Sequence, residues 1–309
     1  MIEAATSPAP ATVLLVVGAA GEEQFGQEFV QWAGLWEQAG HTAGVRVATI
    51  GLDTNSPVVP REQLEKALQA QPKDGLSELW LVLLGHGTFD GKEAKFNLRG
   101  LDISASEFAK WLEPFRRPVA VINTSSASAP FLARLSRPGR VIITATRSGA
   151  EQNFARFGHY LAGTIADLRA DLDKDGQVSL LEAFLTASAR VVEFYETEGR
   201  LATEHALLDD NGDGLGTPAT WFRGVRAVKK AKDDASPDGW RAHQFHLIRS
   251  AAEQQMAPAL RARRDELDLT IARLRESKAR MQEDDYYRSL EALLLEMARL
   301  YEKGQPPPN

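Results

Sequence analysis

The chain of 309 residues contains no cysteine. That absence excludes disulfides, thiolate metal sites and a thiol nucleophile together. It leaves the compartment open, since exported and cytosolic chains both do without cysteine. Long apolar runs are lacking too: the longest, VLLVVGAA, falls far short of the roughly 18–20 residues of a membrane span. No basic block occurs in the first two-thirds and the net charge is −6, so no nucleic-acid partner is expected. The stretch GAAGEEQFG at 18–26 lacks Gly-x-Gly-x-x-Gly, and Gly-Lys-Ser/Thr occurs nowhere, so it reads as a packing turn rather than a nucleotide loop. The hydrolase elbow Gly-x-Ser-x-Gly is absent as well.

What is present, with 43% hydrophobic and 25% charged residues, is the composition of a globular chain with one large domain and additions. From 12 to 146, short aliphatic runs alternate with amphipathic helical patterns. TVLLVVG, VRVATI, LWLVLLG, VAVIN and RVIITAT read as strands of a mostly parallel sheet covered on both faces. Helices are expected over 22–39, 61–70 and 105–112, and KFNLRGLD predicts a small hairpin or edge strand. After residue 158 the chain turns helical. A linker is expected over 229–256, then a C-terminal helical hairpin over 257–303 with Leu260, Leu267, Leu274 and Met281 at sevens. That hairpin either packs on itself or docks onto a partner or a second copy. Residues 1–11 and 304–309 read as tails. The opening MIEAATSPAPAT has no signal-peptide core and reads either as the stub left after export or as an ordinary terminus.

Two strand ends carry candidate chemistry, because open α/β sheets place ligand sites at the carboxyl ends of their strands. The third strand ends in Gly-His-Gly, with His86 between two glycines that leave room for a substrate backbone and with Gly87 N–H free for an oxyanion. The fourth ends in Thr124, Ser125, Ser126 and Ser128. A strand ending in His-Gly, followed by one whose tip reads SASA over 126–129, resembles the caspase-like peptidases, and the legumain branch in particular. The opening LLVVGAAGEEQFGQEFVQWAGLW is similar to the first strand, turn and helix of that branch. The resemblance covers about residues 12–205. It implies a His86/Ser126 pair in place of a histidine–cysteine dyad, within a mostly parallel sheet sandwiched by helices, 12–228 forming the domain.

The departure from the family matters more than the match. A thiol reaches its thiolate at modest cost, since its pKa is about 8.5. A serine hydroxyl does not, and a histidine with no carboxylate behind it activates one weakly. The expectation is therefore an inactive peptidase homologue that binds a peptide or protein. The alternative is an active peptidase using Ser126 and His86; a serine standing where the natural chain has cysteine would give the same pattern. If the cleft still binds a ligand, Arg147, Ser148 and Glu151 after the fifth strand are expected to line it, the competing reading being a solvated loop.

The most specific pattern is DLDKDGQVSLLE at 171–182. Asp171, Asp173 and Asp175 stand at positions one, three and five, with Gly176 at six. Gln177 offers a backbone carbonyl at seven, Ser179 acts through water at nine and Glu182 closes at twelve. This spacing is that of an EF-hand calcium loop, and crowded hard oxygen donors select Ca²⁺. Asp209, Asn211 and Asp213 with Gly214 repeat the first half and are expected to bind calcium as a shorter aspartate-rich loop, although Thr220 at position twelve gives no bidentate closure; the competing reading is a plain Asn-Gly/Asp-Gly turn. Calcium at millimolar supply fits an exported, periplasmic or secreted protein; a cytoplasmic one is the alternative. His243 and His246 are three apart without an evident third ligand, so a helix face is the preferred reading.

Overall fold

A computed structural model describes residues 10–232 and 235–304. Of the expected tails 1–11 and 304–309, residues 1–9 and 305–309 lie outside the described residues. The chain divides into two compact units, 1–248 and 249–309.

The first unit is built on a seven-stranded sheet. Five strands run parallel: β1 (Thr12–Val17), β2 (Arg46–Ile50), β3 (Leu79–Leu84), and two more that follow the small sheet below. After β3 the chain makes three short antiparallel strands, β4 (Gly87–Phe89), β5 (Ala94–Phe96) and β6 (Ile103–Ser104). The main sheet continues with β7 (Val119–Asn123) and β8 (Arg140–Thr144), both parallel to their neighbours. Then β9 (Leu207–Asp209) and β10 (Thr217–Pro218) add antiparallel strands at one edge. The order is β10-β9-β8-β7-β3-β1-β2.

The strands read as unbroken apolar runs because both faces are covered. Val13, Leu15, Trp80, Val82, Ile122 and Ile143 face α1 (Glu23–Thr42), α5 (Phe157–Thr164) and α6 (Leu180–Thr197). Their sequence neighbours Leu14, Val16, Leu81, Leu83 and Val121 face α2 (Pro60–Ala70), α3 (Ala105–Leu112) and α4 (Ala129–Leu135). The period of two along each strand thus divides the core into two layers. On α1 the residues Phe29, Trp32 and Trp36, at helical spacing, are all buried. Ser104 and Glu107 form a capping box that fixes the start of α3. A mostly parallel sheet covered by helices on both faces is the arrangement the caspase-like resemblance implied.

Part of the segment expected as a linker, 238–247, belongs to the core. Asp238, Phe245 and Leu247 are buried, and the Phe245 ring meets Trp80 at 5.6 Å, so the first unit runs on through 248. Polar, proline-containing sequence suggested a linker because the acids that anchor it carry no hydrophobic signature. In the second unit a short α7 (Ala251–Gln255) precedes α8 (Pro258–Ser277) and α9 (Glu283–Gly304). Arg263 of α8 reaches Glu296 of α9 at 2.6 Å, while Lys278 reaches Tyr287, so these helices run antiparallel. Leu267 and Ile271 of the apolar stripe are buried. Among the described residues no helix is long and apolar enough to cross a membrane.

Candidate functional site

Register sets the site. Leu83 of β3 pairs with Asn123 of β7, and His86 and Ser126 each stand three residues further on. The structure therefore brings the two tips together but does not hydrogen-bond the two side chains to each other, among the described residues. Ser126 Oγ donates to Gly87 O at 3.1 Å and accepts Gly87 N–H at 3.2 Å. The Gly87 amide expected to face an oxyanion is thus occupied by the hydroxyl itself. His86 points elsewhere: its Nε2 lies 3.1 Å from Ala20 O, and its ring is edged by Phe25, Phe29 and Phe154 at 5.0–5.8 Å.

The role expected of Gly87 needs the same correction. A Cβ built there would meet Ser126 O at 2.3 Å and Ser125 Oγ at 2.7 Å. Glycine makes room for the chain's own 125–126 segment rather than for a substrate. The other hydroxyls are equally committed. Thr124 donates to Leu83 O at 2.8 Å, Ser125 to Asn123 Oδ1 at 2.7 Å, and Ser128 Oγ accepts the amides of Ala145 and Thr146. All four are buried. They tie the tips of β3, β7 and β8 to one another, each bond contributing about 1 kcal/mol. Ala127 between them sits at φ 52°, a left-handed conformation that costs a non-glycine roughly 1–2 kcal/mol. Its amide is held by Glu151 O at 2.7 Å.

Glu151 is consequently a hub. Its carboxylate accepts Arg147 N–H at 2.9 Å and lies 3.2 Å from Arg147 Nε and 2.6 Å from His205 Nδ1. Of the three residues expected to bind substrate, Arg147 and Glu151 meet, and Ser148 contributes only its carbonyl to the turn. His205 has no spacing in the sequence that would mark it.

The acidic loops are the second candidate centre. In the first, carboxylate oxygens of Asp171, Asp173 and Asp175 lie within 4.8 Å of one another, close enough for one divalent ion. Asp171 accepts the amides of Lys174 and Gly176 at 2.6 and 3.1 Å, Asp173 that of Asp175, and Asp175 that of Gln177. Gly176 takes φ 87° to make the turn. Glu182 reaches back over the loop, accepting Leu172 N–H at 2.7 Å through one oxygen and Ser179 N–H and Oγ–H at 2.8 Å through the other. Ser179 and Glu182 are therefore also the capping box of α6. Gln177 adds a side-chain bond to Asp175 at 2.9 Å.

The second loop repeats this wiring. Asp209 accepts the amides of Gly212 and Gly214 at 3.0 and 2.9 Å, Asn211 accepts Asp213 N–H, and Asp213 accepts Leu215 N–H. Thr220 lies in the turn Ala219–Trp221 and is exposed, so it closes nothing. What stands behind the loop is a buried pair that the sequence did not announce. Asp238 accepts Asp210 N–H and Asn211 N–H through one oxygen and Thr217 Oγ–H at 2.5 Å through the other. Asp210 in turn accepts Gly239 N–H at 2.9 Å and Ala242 N–H at 2.7 Å. Burial raises the pKa of Asp209 and Asp210, and burial with the Asp210 charge beside it pushes Asp238 up to about 8.

The segment so anchored also touches the first loop. His243 Nε2 lies 2.9 Å from Asp173 Oδ2, Leu180 N–H donates to Phe245 O at 2.8 Å, and Ser179 and His246 form a β-bridge. His243, read as part of a helix face, stands instead on a single 3₁₀ turn with Asp173 and Glu182 within 4.8 Å.

No family model and no curated protein matches the chain. Solved structures do. The chain is similar to caspase-1 from Spodoptera frugiperda, at 9% identity and TM-score 0.41, over 66% of this chain and 88% of that one. It is similar to a Geobacter sulfurreducens protein at 13% identity and TM-score 0.39, over 65% and 93%. The Drosophila initiator caspase Dronc follows at 12% identity and TM-score 0.40, over 66% and 81%.

Proposed function

We propose that this chain is a calcium-binding, caspase- or legumain-like peptidase homologue that works by binding a peptide or protein rather than by cutting one. The observation that carries the reading is the closed state of the Ser126 hydroxyl. It is bonded in both directions to one peptide group, that of Gly87, while the histidine beside it is engaged at Ala20 O. To act as a nucleophile the hydroxyl would have to leave both bonds and find a base whose ring is wedged among three phenylalanines. Every cysteine-dependent route is closed to a chain without cysteine.

Calcium fits the first loop through the clustered carboxylates of Asp171, Asp173 and Asp175, with Glu182, which clusters with Asp173, as the twelfth-position donor. When bound it would neutralise crowded carboxylates and hold the start of α6 against the loop. The chain's own residues do the rest: Glu182 ties loop to helix, and the 238–246 segment links it to the second loop. An extracytoplasmic setting, where calcium is plentiful, accords with this reading.

The test is turnover. With calcium present, peptides ending in Asn, Asp, Arg or Lys at the scissile position are expected to remain intact, and a serine-directed acylating probe to leave Ser126 unlabelled. Cleavage that disappears in His86→Ala would overturn the reading and establish the Ser126/His86 enzyme.

A further inference from the structure

A concave site that shares only Arg147 with the residues expected to line the peptidase cleft is formed by the first unit. It is a cleft of about 890 Å³, within the range of sites that hold small organic ligands. Its lining includes Leu185, Ala189 and Val192 of α6, Leu207, Trp221, and Leu172 of the first acidic loop. Val192 and Leu172 remain 49% and 45% exposed although both face this hollow. Exposed aliphatic side chains gathered in a cavity mark a binding surface more than scattered ones do.

The polar groups on its lining are few and lopsided. Glu204 reaches it, but its carboxylate is turned into the protein, accepting Arg156 N–H, Phe157 N–H and the Tyr195 hydroxyl. Arg147 is the one permanent cation among the described lining residues and is 61% exposed. Its Nε faces Glu151, while among the described residues its two terminal nitrogens make no bond. A guanidinium with free N–H groups beside an apolar hollow, and no outward-facing carboxylate on the lining, complements one kind of molecule.

We infer that this cleft binds a small amphipathic anion, an aliphatic or aromatic body ending in a carboxylate, with the body against Leu185, Val192 and Trp221 and the carboxylate on Arg147. The probe is 1-anilinonaphthalene-8-sulfonate, followed by fluorescence on the full chain and displaced by decanoate or by decanol. The two competitors share a chain and differ in charge. Decanoate is expected to displace the dye about tenfold more effectively, the preference a charge-assisted bond confers. Arg147→Gln should erase that preference while leaving decanol unchanged. Val192→Glu, a change at a half-exposed position that leaves the thermal midpoint in place, should weaken both competitors and the dye. Equal displacement by acid and alcohol, or a preference that survives Arg147→Gln, overturns the anion assignment. Absence of saturable dye binding, binding that survives Val192→Glu, or binding that weakens as the protein concentration rises overturns the cleft itself; the last would mark a second copy as its occupant.

Discussion

In both acidic loops the leading aspartate, Asp171 or Asp209, is buried and a later one, Asp175 or Asp213, stands at the surface, but only behind the loop at 209–214 does a further buried pair stand among the described residues, Asp210 and Asp238. The backbones are wired alike, amide for amide. What differs is closure. The first loop is closed by Glu182, at its twelfth position and on the helix it caps; the second is backed by an acid nearly thirty residues away that arrives from another segment. Identical turns are therefore closed differently: one by the helix that follows it, the other by a distant segment that it anchors.

The largest expected effect that would sharpen this contrast is structural. Asp210→Ala strands the amides of Gly239 and Ala242 in a buried site, and about 2–4 kcal/mol of stability should be lost in urea unfolding. Asp173→Ala, at an exposed position, should cost less than about 1 kcal/mol without calcium. Comparable losses would erase the distinction.

Calcium comes next. At a free concentration one hundred times its dissociation constant, it should stabilise the fold by about 2.7 kcal/mol, read as a raised thermal midpoint. Glu182→Gln should remove most of that gain and Asp213→Asn little of it. The reverse ranking would make the second loop the principal site.

A pH dependence of opposite origin follows from Asp238. Its pKa in the fold, about 8, lies above the ordinary 3.8 of the unfolded chain. Between those values the fold holds a proton that the unfolded chain has released, so stability is full below about pH 3.8 and declines towards pH 8. Calcium-free thermal midpoints should fall across that window, and Asp238→Asn should flatten the fall. An unchanged slope would mean the buried pair is stabilised as a charged group. The smallest effect is expected of His243→Ala: its bond to Asp173 is about 30% exposed on both sides and should contribute less than about 1 kcal/mol.

Much of the sheet was legible because β-branched and aliphatic runs must be buried on two faces to be stable. VAVIN is β7 to the residue, and the helix expected over 105–112 is α3. The calcium-loop spacing foretold the turns at 171–176 and at 209–214, since short-range Asp-to-amide bonds need only neighbouring residues. The site at the strand tips was half legible. Periodicity placed His86 and Ser126 at adjacent ends, yet rotamer and partner depend on groups far along the chain, Ala20 O and the Gly87 peptide. Asp238 and His205 were invisible for the same reason. Each acts through contacts across tens of residues that no local pattern encodes.

The calcium loop is the claim on which the comparison turns, and calorimetric titration of calcium into the metal-free chain tests it most directly. The account predicts a saturable site whose affinity drops more than about tenfold in Glu182→Gln while Asp213→Asn leaves it in place. A titration with no binding heat at millimolar calcium, or one that Glu182→Gln leaves unchanged, would contradict it.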